Sequence, residues 1–145
     1  MLKNKKGIIF GIANDHSIAW GIAKKLSENG AELGITYQNE TLLKRVKPLA
    51  DKANSKLLVE CDFSKTESIK NCFEKIKTKF QNIDFVIHAV AFSDKNELNG
   101  KYINTSKDNF IKTLNISCFS FTAISKHASA IMNDSGSLLT LSFYG

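Results

Sequence analysis

Arg45 is the only arginine in this sequence, and the lysines are scattered over helical faces rather than clustered. Arginine supplies the bidentate fork that grips phosphates and guanine, so a net charge of +6 reads as a solvated surface, not a nucleic-acid footprint. A weak attraction to an acidic partner stays open. Cysteine is also scarce. Cys61, Cys72 and Cys118 are odd in number and contain no C-x-x-C pair, which argues against a disulfide framework or a zinc site. No apolar run reaches the roughly 18 residues of a membrane span, so no membrane association is expected. Nor is there a repeat, a low-complexity tract or an interdomain linker.

The length of 145 residues suits one domain over 1–145 with a real apolar core. The opening Met1-Leu2-Lys3-Asn4-Lys5-Lys6 is basic but has no apolar h-region or cleavage site, and a cytoplasmic protein is expected.

Apolar periodicity gives the order of elements. Gly7-Ile8-Ile9-Phe10 reads as a buried strand, followed by a helical stripe of Ile18, Ile22, Ala23 and Leu26 that Asn29-Gly30 stops. Ala31 to Tyr37 is a second strand. Glu40 to Asn54 is helical through Leu42, Leu43, Val46, Leu49 and Ala53, with a kink or break expected at Pro48. Lys56 to Cys61 is a third strand. Ser64-Lys65-Thr66-Glu67 has capping-box spacing ahead of a helix carrying Ile69, Cys72, Phe73, Ile76 and Phe80.

Asp84 to Val90 is almost entirely apolar, as a strand buried on both faces should be. A polar loop over 92–105 precedes one long helix from about Ser106 to Met132, showing Phe110, Leu114, Phe121 and Ile124. Asn133-Asp134-Ser135-Gly136 ends that helix, and Ser137 to Phe143 is a fifth strand with an exposed apolar edge. Strand and helix alternate four times. The fold class is therefore α/β, a Rossmann-like doubly wound parallel sheet that stops after its fifth strand.

The chemistry gathers where strands end. Gly11 to Gly21 joins the first strand to a helix, the place where doubly wound folds hold a dinucleotide. A helix start carries unpaired N–H groups and partial positive charge, which stabilise a pyrophosphate. Gly11 lets backbone approach a ligand, and Ser17 either caps the helix or donates to a phosphate oxygen. The spacing is not Gly-x-Gly-x-x-Gly, so an ordinary strand–loop–helix connection is the competing reading. Gln38 ends the second strand, where the adenosine ribose is read. It is neutral, Glu40 lies near it and no basic pair follows, which leans toward NADH over NADPH. Asp62 suits the adenine amino group, or is simply a loop carboxylate favoured by the next helix dipole. His88, inside an apolar strand, reads as a hydrogen-bonded core histidine rather than a base. His16 reads as a loop residue and His127 as a helix-surface one. No ligand spacing suggests a metal.

These residues resemble a known family. Gly-Ile-Ala-Asn-x-x-Ser-Ile-Ala-Trp-Gly-Ile-Ala from Gly11, then Gly30-Ala-Glu-Leu and Thr36-Tyr37-Gln38, are similar to bacterial enoyl-[acyl-carrier-protein] reductases, divergent short-chain dehydrogenases/reductases. Cys61-Asp62, His88 to Phe92, Leu98-x-Gly100-x-Tyr102, Thr105-Ser106, Phe110, Ile116-Ser117, Phe119-Ser120 and Gly136 to Ser142 continue the match over essentially the whole chain. The Ser-Ile-Ala turn separates this family from relatives with Thr-Gly-x-x-x-Gly-x-Gly.

The resemblance implies an NADH (NAD) site. Gly11, Ser17 and Ile18 would hold the pyrophosphate, Gln38 the adenosine ribose, and Asp62 with Phe63 the adenine. Val90 would lie near the nicotinamide and Ser93 near the acyl substrate. It also implies hydride transfer to the β-carbon of an enoyl group linked to acyl carrier protein, in fatty-acid biosynthesis. A tyrosine hydroxyl and a ribose hydroxyl would stabilise the enolate, with a lysine holding the ribose. The family's Tyr-x6-Lys pair comes after the fifth strand, beyond the last residue here. The 145 residues are therefore expected to be an inactive amino-terminal part of an enzyme that forms a homotetramer. Phe143 stands where the family often has tyrosine, and Tyr144 beside it is a weak substitute, since neighbouring strand residues face opposite sides. Asn115 matches a superfamily asparagine that organises a water, or is an ordinary polar helix residue. A short-chain ketoreductase part and a non-catalytic NAD-binding module are the alternative functions.

Overall fold

Ile8, Ile9 and Phe10 are wholly buried, as the centre of a sheet covered on both faces requires. In the computed structural model, whose described residues are 1–143, they belong to β1 (Lys6–Phe10). There follow α1 (Ile18–Glu28), β2 (Glu32–Tyr37), α2 (Glu40–Lys52), β3 (Leu57–Glu60), α3 (Thr66–Phe80) and β4 (Ile83–His88). Two 3-10 turns, Lys95–Glu97 and Tyr102–Asn104, interrupt the next loop. Then come α4 (Lys107–Leu114), a π-helical segment over Asn115–Phe119, α5 (Ser120–Ser129) and β5 (Met132–Thr140). The strands are parallel in the order β3-β2-β1-β4-β5, which is the doubly wound α/β sheet read from the alternation.

Each face of the sheet has its own core. On one, Ile8, Phe10, Val59 and Val86 meet Ile69, Phe73, Ile76 and Phe80 of α3 and Ile124 and Ala128 of α5. On the other, Ile9, Leu33, Ile35 and Ile87 meet Ala19 and Ala23 of α1 and Val46, Leu49 and Ala50 of α2. At the amino ends of the strands, Asp84 accepts hydrogen bonds from the Lys6 N–H (2.8 Å), Lys5 Nζ (3.1 Å) and Asn133 Nδ2 (3.1 Å). One carboxylate thus fastens three neighbouring segments.

Four local expectations change. Ser64 does not cap α3: its N–H and hydroxyl both donate to Asp62 Oδ1, at 2.9 and 2.6 Å, so the side chain is already engaged and Lys65 takes the cap position without a side-chain bond. Helix α2 runs unbroken through Pro48. The long helix is interrupted by the π segment and ends at Ser129 rather than Met132. A π turn admits an extra residue and rotates the faces on either side of it. Accordingly Asn109, Ile116, Ser120, Ile124 and Ala128 are buried, while Phe110 and Leu114 are exposed. Finally, β5 begins at Met132, opposite Ile83, loops out over 133–136, and resumes with Ser137 opposite Phe85. Gly136 permits that loop, because a β-carbon there would collide with the Met132 side chain.

Candidate functional site

The carboxyl ends of all five strands open onto one cleft with two arms. Both arms share Gly11, Ala89, Val90 and Ala91. One extends between β2 and β3 to Thr36, Tyr37, Gln38, Leu42, Cys61, Phe63 and Ser64, with Phe92 and Ile116 opposite. The other passes the head of α1 at Ser17, Ile18 and Ala19 and ends at Leu141, Ser142 and Phe143.

Gly11 has φ +109°, a backbone region that side chains rarely adopt. A β-carbon there would strike the peptide of Ala89, coming within 2.6 Å of its carbonyl carbon. Its glycine identity therefore serves the close approach of β1 to β4 beneath the cleft. The turn that follows is held by its own side chains. Ser17 Oγ accepts from the N–H groups of Ala13 (3.0 Å) and Asn14 (3.2 Å), and Asn14 Oδ1 accepts from the His16 N–H (2.9 Å). Ser17 occupies the cap position, yet no side-chain cap closes α1 and no acidic residue lies in its first turn. The head of α1 keeps its free donors and positive potential facing the cleft. Ile18, expected on the buried stripe, is 70% exposed at that rim. It is the first helical residue and projects toward the cleft, leaving Ala19 and Ala23 to face the core.

Partial burial would raise the Asp62 carboxyl, but its bonds from Ser64 and the nearby Lys65 outweigh that and hold it below the usual range. Its own N–H donates to Ser68 Oγ at 2.9 Å. Asp62 itself does not line the wall that its neighbours Cys61, Phe63 and Ser64 form. Phe63 packs on Phe10 and His88, with ring centroids 5.6 and 5.9 Å away. A hydrogen bond with Cys72 and burial push the Cys61 thiol far up, so no reactive thiolate stands beside the pocket.

His88 is fully buried, its Nδ1 2.8 Å from Thr140 Oγ1 and its Nε2 2.7 Å from Ser120 Oγ. It is a core residue with both nitrogens engaged, as read from its apolar strand. Ser93 lies away from the walls of both arms. Its hydroxyl accepts from Asn109 Nδ2 and Thr113 Oγ1, each at 3.2 Å. Phe143 follows the end of β5, so the alternation argument drawn for its neighbour does not apply, and Tyr144 lies outside the described residues. Asn115 opens the π segment and is exposed.

Of the predicted residues, Gly11, Ser17, Ile18, Gln38, Phe63 and Val90 come together on the cleft, and Asp62 is adjacent in sequence to the wall residues Cys61 and Phe63 without lining it. Several wall residues were missed. Thr36, whose hydroxyl donates to the Ile9 carbonyl (3.2 Å), and Leu42 flank the second strand's end and were within reach of the strand-end rule. Phe92 and Ile116 had no such signal. The Ser117 hydroxyl brings them together, accepting from the Phe92 N–H (2.9 Å) and donating to its carbonyl (3.1 Å).

The residues present fit a dinucleotide: uncapped donors and no acid at α1, a polar side chain at the end of β2, and apolar walls beyond β3 and β4. Among the described residues no cluster of His, Cys, Asp or Glu has the makings of a metal site, and no helix is long and apolar enough to cross a membrane.

Comparison with known proteins agrees with the geometry. Residues 11–145 match the family described as enoyl-(acyl carrier protein) reductase. The chain is 52% identical over its full length to enoyl-[acyl-carrier-protein] reductase [NADH] 2 of Rhizobium meliloti strain 1021, and covers 54% of that protein. The crystal structure of the reductase of Anaplasma phagocytophilum, solved in complex with NAD, superimposes with a TM-score of 0.94 at 52% identity, over 99% of this chain and 55% of that one. The Aquifex aeolicus enzyme gives a TM-score of 0.95 at 37% identity, over 99% and 57%. The chain thus spans little more than half the length of these relatives. It belongs to the enoyl-(acyl carrier protein) reductase family.

Proposed function

We propose that residues 1–145 form the NADH-binding domain of an enoyl-[acyl-carrier-protein] reductase, in which the two-armed cleft holds the dinucleotide. The open head of α1, wired by Ser17 and free of acidic residues, carries this reading. The donors of Ile18 and Ala19 suit the pyrophosphate, Gln38 the adenosine ribose, and Phe63 with Asp62 the adenine. Val90 and the arm toward Phe143 receive the nicotinamide, and Ser93 stands toward the acyl group. Bound NADH supplies the hydride that reduces a trans-2-enoyl thioester carried by acyl carrier protein. The chain's own contribution is positioning and exclusion of water at the apolar end of the cleft.

The relatives' names support the substrate and cofactor. The exposed Phe110, Ile111, Leu114 and Phe119 support self-association into a homotetramer of the whole enzyme. We place its action in the cytoplasm. The family's Tyr-x6-Lys pair follows the fifth strand, and Tyr37 and Lys44, which repeat that spacing, lie instead at the end of β2 and in α2, so residues 1–145 alone bind NADH without turnover. The test is to purify the 145-residue chain, titrate it with NADH by calorimetry, and follow NADH oxidation with an enoyl thioester. Saturable binding without oxidation is expected. Turnover near that of a whole relative refutes the need for the pair after the fifth strand, and no binding refutes the nucleotide site.

A further inference from the structure

Tyr37, a wall residue of the arm between β2 and β3, has a carboxylate near it from each of two elements, Glu60 at the end of β3 and Glu40 at the start of α2. Tyr37 and Glu60 are register partners on β2 and β3, and the Cys61 N–H donates to the Tyr37 carbonyl at 2.8 Å. Leu58 packs on the α1/α2 face of the sheet, and Glu60, two residues on, shares that face. So does Tyr37. Glu40 opens α2 two residues after Gln38, behind the N-cap Asn39. Both carboxylates are felt at the Tyr37 phenol, which burial, then Glu40, then Glu60 hold above its ordinary range. Among the described residues no lysine or arginine forms an ion pair with either. Lys44 stands a helical turn beyond Glu40, and Arg45 lies beside Asn14 and Asp15.

We propose that Glu60, acting with Glu40, is a specificity-determining residue that excludes a ribose 2′-phosphate, so that the cleft takes NADH and rejects NADPH. This rests on the dinucleotide reading above. Gln38 at the end of β2 can hydrogen-bond a free 2′-hydroxyl but has no charge with which to discriminate. Repulsion by the neighbouring strand's carboxylate provides it, acting on a group of nearly two negative charges.

The experiment is a pair of fluorescence titrations, NADH and NADPH, on the 145-residue chain and on its Glu60→Gln and Glu60→Lys variants. Both changes are at an exposed position. Glu60→Gln is expected to tighten NADPH about 5-fold at low ionic strength while moving NADH by less than about two-fold. Glu60→Lys is expected to go further in the same direction, and the gain to shrink in about 0.5 M salt. An unchanged NADPH to NADH ratio in both variants, or parallel shifts for the two nucleotides, overturns the role of Glu60 and leaves the dinucleotide site standing. If the unaltered chain binds neither nucleotide, the site itself is refuted and this inference falls with it.

Discussion

Ser120 Oγ lies 2.7 Å from His88 Nε2 and 2.6 Å from the carbonyl oxygen of Ile116. A serine has one proton, and the carbonyl can only accept it, so Ser120 donates to Ile116 and must accept from His88. The imidazole is therefore protonated on Nε2, and its Nδ1 accepts from the Thr140 hydroxyl. These bonds tie the end of β4 to the start of α5 and to β5 beneath the cleft.

Burial pushes the His88 pKa below its ordinary value of 6.5. Below that value the unfolded chain takes up a proton that the folded chain refuses. Stability is fully present above pH 6.5 and falls as the pH drops below it, by at most about 1.4 kcal/mol per pH unit. Urea unfolding between pH 7.5 and 5.5, compared with His88→Gln, isolates this slope as the part that the variant loses. Nitrogen-detected NMR should show a neutral Nε2–H tautomer across the range; a ring that titrates normally would contradict the bonding scheme.

Two glycines with left-handed backbones should respond differently to alanine. Gly11→Ala meets both the strained φ and the Ala89 peptide, whereas Gly100→Ala, at φ +90°, meets nothing within 4 Å. Gly11→Ala should cost about 3 kcal/mol or more and Gly100→Ala about 1 kcal/mol. Equal losses in chemical denaturation would mean that the contact with Ala89 does not matter.

Ser17→Ala removes the acceptor that gathers the Ala13 and Asn14 N–H groups. The expected loss is about 1 kcal/mol in stability, with roughly 10-fold weaker NADH binding as the turn loosens. Ser17→Thr keeps the hydroxyl and should recover most of both. Calorimetric titration of the two variants reads the difference, and equal affinities would remove Ser17 from the site.

Asp84→Ala leaves the Lys6 N–H and the Asn133 amide without their acceptor. A loss of about 2–3 kcal/mol is expected in urea unfolding. Partial burial opposes ionisation of Asp84, but the bonds from Lys6, Asn133 and Lys5 prevail and lower its pKa. Its contribution is present above the ordinary carboxylate range and disappears as the pH falls through its lowered pKa. A pH-independent difference between Asp84→Ala and the parent from pH 7 to 3 would rule out this carboxylate's role.

Particular residues show what was legible in advance. The apolar runs at Ile8–Phe10 and Phe85–Ile87 announced central strands because burial on both faces leaves no room for alternation. Gly11, Gln38 and Val90 followed from knowing where such strands end. Ser64 was misread because capping-box spacing is blind to Asp62, which competes for the same hydroxyl. The exposure of Phe110 and Leu114 was misread because nothing in a 3.6-residue period signals a π turn at Asn115–Phe119.

By itself the sequence determined the succession of strands and helices, the sheet they make and the turn at Gly11, since periodicity and backbone freedom act within a few residues. Only tertiary structure decided that Ser120 and Thr140 would fix the His88 proton, that Ser93 would bond to Asn109 and Thr113 away from the cleft walls, and that Glu60 would stand beside Tyr37. Those relationships join residues 16 to 52 positions apart, and they arise from strand register and helix packing, which no local pattern encodes.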